Sequence, residues 1–157
     1  VRVDYSMLAH KVALAITGRG PVVRQFPLGP GIDFAGTIEA SDHSDYGPHD
    51  RALLNGWGVG EARSSGLSQK ACVRGEWLIP PPLGSTAPQA VAIGTAGYTA
   101  MLSILVLERH GLKPEQGDVL VTGATAGEAL QWRCWRDWGT ASSRRPDGPR
   151  RSGICVG

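Results

Sequence analysis

Residues 119–125 read Val-Leu-Val-Thr-Gly-Ala-Thr, an apolar strand pattern opening onto a glycine turn at Gly123, Ala124 and Thr125. That is the usual entrance to a nucleotide-binding βαβ unit, which needs roughly 30 residues or more for its crossover helix and second strand. Gly56-Trp57-Gly58-Val59-Gly60 is a second glycine-rich stretch. A phosphate loop needs a helix directly behind it, and none is expected there, so a turn is the better reading. His10, His43, His49 and His110 are scattered over expected loops and helix ends. Cys72, Cys134 and Cys155 are odd in number and widely spaced, which gives neither a disulfide framework nor a zinc knuckle. A reducing, cytoplasmic setting is expected.

The scaffold for these residues is readable from periodicity and punctuation. Residues 1–5 alternate as a strand does. Residues 7–16 have helical spacing, with Leu8, Val12, Ala15 and Ile16 as an apolar stripe and Gly18 as the stop. Residues 18–31 are a Gly/Pro loop with a short extended centre at Val22 and Val23. Strands are expected over 32–38, 52–55, 71–73 and 77–79, separated by glycine-rich turns, a texture that suggests a small barrel or a strongly bent sheet. Thr86 or Ser85 can cap a helix over 88–93, which Gly94 interrupts. A second helix should run over 96–110, with Tyr98, Met101, Leu102 and Leu105 on one face and Gly111 as its stop.

The chain has 157 residues, 41% hydrophobic and 19% charged, enough for one domain with a real core. No apolar run reaches the roughly 18 residues of a membrane span, and no export signal opens the chain. Beginning at Val1 within an expected strand, it is expected to lack preceding residues. Charge is uneven: residues 1–127 hold 10 Lys and Arg against 11 acids, whereas residues 128–157 hold six Arg against three acids, with three of the five Trp. The basic balance belongs to the tail and predicts no nucleic-acid partner for the body.

Five blocks in order carry a family resemblance. They are Ala-Leu-Ala-Ile-Thr-Gly-Arg-Gly at 13–20, Pro-Gly-Ile-Asp-Phe-Ala-Gly-Thr at 30–37 and Gly-Trp-Gly-Val-Gly-Glu at 56–61. Gly-Thr-Ala-Gly-Tyr-Thr-Ala-Met at 94–101 and the glycine-turn strand at 119–125 complete the series. The chain resembles the medium-chain dehydrogenase/reductase superfamily, in its zinc-free quinone-oxidoreductase-like branch and within that the acryloyl-CoA reductase group. The resemblance implies an α/β fold: a β-rich GroES-like barrel over 1–93, then the start of a Rossmann unit over 94–125, truncated thereafter. It also implies NADPH as cofactor, no zinc, and hydride delivery to the β-carbon of an α,β-unsaturated acyl thioester or to a quinone. Zinc-dependent members read Gly-His-Glu where this chain has Gly31-Ile32-Asp33.

By the same resemblance Thr95 and Thr99 meet the nicotinamide end, though helix entry and capping would also account for them. Gly123, Ala124 and Thr125 meet the pyrophosphate, where close backbone approach and a helix N-terminus favour phosphate. Trp57 and Asp33 line the substrate side. Lys11 and His10 are the catalytic candidates. The family reads Ser-x-Leu-Asn-Tyr-Lys-Asp ahead of the first block, and here the stretch is Ser6-Met7-Leu8-Ala9-His10-Lys11-Val12. Lys11 is kept; Asn, Tyr and Asp have become Ala9, His10 and Val12. The partners implied are a small-molecule substrate and further copies of the parent enzyme, with no nucleic acid and no membrane. A non-catalytic barrel module, or an inactive gene remnant, is the alternative.

Residues 126–157 do not continue the expected unit. They could be an aromatic helical stripe through Trp132, Trp135 and Trp138, or a Trp/Arg surface for single-stranded nucleic acid. They could also be the gene read out of frame. Reverse translation of residues 132–157 with GC-rich codons, read two bases later, can give AVLARLGYRVVASTGRPEAERYLRR. This is an apolar helix, a turn and a buried strand, the pattern the resemblance calls for. A frame change between 126 and 130 is therefore expected, leaving a fragment inactive by itself.

Overall fold

The structure, a computed structural model, describes residues 1–64, 66–113 and 116. The expected strand at 119–122, the turn at Gly123, Ala124 and Thr125, and the tail lie outside the described residues. The chain divides into two units, Val1–Thr95 and Ala96–Gly157.

The first unit is built on four antiparallel strands in the order β1 (Arg2–Ser6), β2 (Asp33–Thr37), β3 (Arg51–Asn55) and β4 (Leu78–Ile79). The β2–β3 register sets Asp33 opposite Asn55 and Ala35 opposite Leu53. Because side chains alternate across a strand, this register decides what each face carries. One face holds Phe34, Ala52, Leu54 and Leu78, which pack with Ile38, Val59 and Ala71. The other holds Ala35 and Leu53, which pack with Ala90 and Val91 of the helix α2 (Ala87–Arg109). Asp33 and Asn55 share this second, helix-covered face.

Local rules set the helix ends. α1 (His10–Thr17) stops at Gly18, left-handed at φ 66°. Thr86 caps α2 reciprocally: its backbone N–H donates to Gln89 Oε1 at 2.9 Å, and Gln89 N–H returns to Thr86 Oγ1 at 3.4 Å. Gly94, at φ 43° and ψ −150°, breaks the helix in the middle. In the second unit, Leu112 N–H reaches Leu107 O and Gly111 N–H reaches Glu108 O, at 3.1 and 2.9 Å. This pair of bonds closes the helix as a Schellman turn. By length and composition α2 could cross a membrane. The break at Gly94 leaves neither part with the roughly 20 continuous residues a span needs.

Several expectations are corrected. The loop over 18–31 forms as expected, but Val22 sits in a turn, its N–H donating to Gly20 O at 2.8 Å. Residues 71–73 form no strand: the one bridge beside them is Arg2 with Lys70, and Ala71 adds only reciprocal hydrogen bonds with Val1. Residues 75–77 coil into a single tight turn, so β4 keeps just two residues. In the first helix Val12 is buried but Ile16 is exposed, and Leu8 is exposed because the helix begins only at His10 and Leu8 precedes it. In α2 the buried stripe is Gly97, Ala100 and Ile104, while Tyr98, Leu102 and Leu105 are exposed. Hydrophobicity favoured the large residues, but the buried side of the helix is carried largely by small ones.

Candidate functional site

Antiparallel pairing brings the start of β2 beside the ends of β1 and β3. Ser6 pairs with Phe34 and Asp33 with Asn55. Segments 7–11, 30–32 and 56–61 therefore all leave the sheet at one end. Three glycines knit two of these segments to the following loop. A Cβ on Gly60 would lie 2.5 Å from Gly31 O, and one on Gly66 would lie 2.5 Å from Gly31 C. Any side chain there would drive the backbones apart, which accounts for the glycine spacing of the 30–37 and 56–61 blocks.

At this end sits Asp33, the one charged residue fully buried among those described. Its Oδ2 accepts the Thr95 backbone N–H at 2.8 Å, and its backbone carbonyl accepts the Ser6 hydroxyl at 2.8 Å. Thr95 Oγ1 also donates to Asn55 Oδ1 at 3.3 Å. Oδ1 of Asp33 finds no hydrogen-bond partner among the described residues. Burial pushes the Asp33 carboxyl above the usual carboxylate range, and the hydrogen bonds from the Thr95 amide and hydroxyl pull against that shift. Gly94 lets the chain turn tightly enough for Thr95 N–H to point at the carboxylate. A Cβ there would stand 2.7 Å from Asp33 Oδ2.

The arrangement is a clamp. Asp33 has no surface of its own, so it acts on its surroundings through Thr95, fixing the first amide after the helix break. Thr99 lies in the second unit, exposed, with its carbonyl accepting the Ser103 hydroxyl at 3.0 Å. Lys11 is half-exposed and forms an ion pair with Glu61, which Arg24 also approaches at 3.9 Å. His10 opens α1 and is exposed. Trp57 is exposed, in left-handed backbone at φ 57°, and stacks on Trp77. No helix follows the 56–60 turn, so it is not a phosphate loop.

Sequence reasoning did not single out Asn55, Ser6 and Glu61. Asn55 left one signal, a lone polar residue closing an apolar strand on the face shared with Leu53. Among the described residues no three His, Cys, Asp or Glu side chains gather as a metal ion would need.

No protein-family model matches the chain. The chain is 54% identical over 127 residues to the acrylyl-CoA reductase AcuI of Ruegeria pomeroyi, covering 81% of this chain and 38% of that protein. It is 43% identical, again over 127 residues and with 81% and 38% covered, to a Bacillus subtilis protein named as a quinone oxidoreductase, YhfP. Its fold is similar to the crystal structure of the yhdH oxidoreductase from Salmonella enterica in complex with NADP. There the TM-score is 0.81 and the identity 47%, over 83% of this chain and 41% of that one. Over the matched residues the chain is similar to these reductases and oxidoreductases, in line with its resemblance to the quinone-oxidoreductase-like branch of the medium-chain dehydrogenase/reductases. The mixed α/β fold class is borne out with it. The chain spans about 38% of the length of these curated relatives.

Proposed function

We propose that this chain is part of an NADPH-dependent, zinc-independent reductase that reduces an α,β-unsaturated acyl thioester of the acryloyl-CoA kind, or a quinone. The observation that carries this reading is the 54% identity to an acrylyl-CoA reductase. NADPH, when bound, supplies the hydride. The chain's own part is positioning. The Asp33 clamp holds Thr95 where a cofactor amide or ribose can be met, and Thr99 follows one helical turn later. Gly123, Ala124 and Thr125 receive the pyrophosphate. Trp57 walls the substrate side, with Asp33 behind Thr95. Lys11, oriented by Glu61, and His10 are the groups able to hydrogen-bond the thioester carbonyl or move a proton. The parent enzyme is cytoplasmic and homo-oligomeric, with no nucleic-acid or membrane partner.

The proposal includes a change of reading frame between residues 126 and 130. What supports it is the Arg/Trp-rich composition after 127, and the fact that two relatives each align over 127 of the 157 residues. Sequencing the coding DNA tests the frame: codons that fail to give an apolar helix and strand when shifted would refute it. An NADPH-oxidation assay with acryloyl-CoA and with a quinone tests the function. The 157-residue chain is expected to show neither turnover nor micromolar NADPH binding, and the product in the shifted frame is expected to turn over. A shifted-frame product inert toward both substrates would refute the reductase reading; turnover by the chain itself would refute the frame change.

A further inference from the structure

Trp57 is placed at a cost. A bulky residue in the left-handed region is an outlier worth about 1–3 kcal/mol of strain, yet Trp57 spends it to remain 57% exposed. Gly56 and Gly58, at φ 82° and 72°, hold the turn on either side. Arg63 Nη1 donates to the Trp57 carbonyl at 3.1 Å and pins it. The indole lies nearly parallel to Trp77, with centroids 6.1 Å apart and an interplanar angle of 13°. Trp77 in turn packs on the cluster of Phe34 and Leu54. Two guanidinium groups flank the pair: Arg63 lies 4.9 Å from the Trp77 ring centroid and Arg74 5.9 Å. Arg74 also pairs with Glu76 at 2.9 Å, so Arg63 is the stronger anion ligand of the two.

A rigid, half-exposed ring backed by a second ring and edged by arginines suits a planar aromatic ligand that carries phosphate. Indole faces stack on nucleobases, and the guanidinium fork matches phosphate oxygens. We propose that Trp57, Trp77, Arg63 and Arg74 form a ledge for a phosphorylated adenosine, with adenine against Trp57 and phosphate on Arg63. This rests on the reductase reading, because that reaction supplies two such groups: the 3′-phosphoadenosine of a coenzyme-A thioester and the 2′-phosphoadenosine of NADPH. If the first binds, the ledge selects thioesters over quinones, which offer a ring but no phosphate.

The test is calorimetric titration of the 157-residue chain with adenosine 3′,5′-bisphosphate, adenosine 2′,5′-bisphosphate and adenosine. One bisphosphate should bind saturably, and about tenfold more tightly than adenosine. The tighter bisphosphate identifies the source. W57A should weaken binding by about tenfold or more and W57F by much less, since base stacking needs only an aromatic face. R63Q should weaken the bisphosphates more than adenosine, because it removes the phosphate ligand as well as the bond to the Trp57 carbonyl. R74Q alters a side chain 67% exposed to solvent and should fold as the parent does, with a smaller loss in the same direction. No binding of either bisphosphate at about 5 mM would overturn the proposal, as would unchanged affinity in W57A and R63Q. The bisphosphates carry neither nicotinamide nor acyl group, so binding them does not require turnover. A chain that binds them while its shifted-frame product reduces nothing keeps the ledge and loses the reductase; turnover unchanged by W57A, with no bisphosphate bound, does the reverse.

Discussion

Replacing Gly94 with alanine tests the clamp most directly. At φ 43° and ψ −150° Gly94 occupies backbone space that alanine enters only at a cost of about 1–3 kcal/mol. The new Cβ would also stand 2.7 Å from Asp33 Oδ2 and 3.0 Å from the terminal methyl of Met7. The methyl can swing away. The carboxylate cannot do so without losing the Thr95 N–H bond, and leaving a buried partner unsatisfied costs about 1–3 kcal/mol more. The sum is about 2–6 kcal/mol. Gly18 supplies the control: it has φ 66° and nothing within 4 Å of a built Cβ, so G18A should cost only the left-handed penalty of about 1–2 kcal/mol. Urea unfolding followed by far-ultraviolet circular dichroism compares the two variants, provided the slopes match. G94A should be the less stable by about 1–3 kcal/mol. If G94A falls within about 0.5 kcal/mol of G18A, the close approach of Gly94 to Asp33 does not constrain the fold and the clamp is misread.

Asp33 predicts a pH dependence. Its folded-state value is raised by burial, so the folded chain binds more protons than the unfolded one above the ordinary carboxylate value of about 3.9. That contribution to stability is fully present below the ordinary value and is lost as pH rises through the raised one. Melting temperatures measured from acid to neutral pH should therefore fall for the parent relative to D33N, whose side chain does not titrate. A parent that gains on D33N with rising pH would contradict the assigned direction. Thr86→Ala removes the reciprocal cap at the start of α2 and should cost about 1 kcal/mol. The same melts check this, and no loss would mean that Gln89 alone holds the helix start.

Punctuation was legible in the sequence because it acts locally. Gly18, Gly94 and Gly111 end or break helices where their spacing says they should, and Thr86 caps where its position ahead of Pro88 and Gln89 suggests. All four strands fall within a residue of an expected one, and only the strand expected over 71–73 is missing. The site was only partly legible, because its contacts are set by register and not by neighbours. Asp33 and Asn55 face each other across 22 positions of sequence only because β2 and β3 pair as they do. Lys11 and Glu61 meet across 50 positions, and nothing in either local pattern announces the other. The helical stripes misled for a related reason. Periodicity identifies a face, but Ala100 and Ile104 were buried in preference to Tyr98 and Leu102 by packing that no single helix encodes.

The sheet end also gives physical meaning to the chain's departure from the family pattern at residues 9–12. The three changed positions do not share one environment. Val12, where the family carries Asp, is 1% exposed and belongs to the buried core, so this change substitutes an apolar chain where ionised carboxylate would need a partner. Ala9 precedes α1 in extended backbone and makes no side-chain cap, whereas Asn, the family's residue, is among the better caps. His10 replaces Tyr on the exposed first turn, next to Lys11 and its Glu61 partner. The one retained residue is thus the one bonded across to the 56–61 segment, and that bond ties the altered segment to the sheet end. The bonds from Thr95 to Asp33 and Asn55 and from Ser6 to Asp33 pass through none of the three changed positions, so these contacts of the scaffold do not depend on the lost polar groups. Fold and chemistry therefore separate at this segment. The substitutions leave the clamp intact while changing the polar groups beside Lys11, so their effect should fall on the proton-handling side of the proposed reaction before it falls on folding.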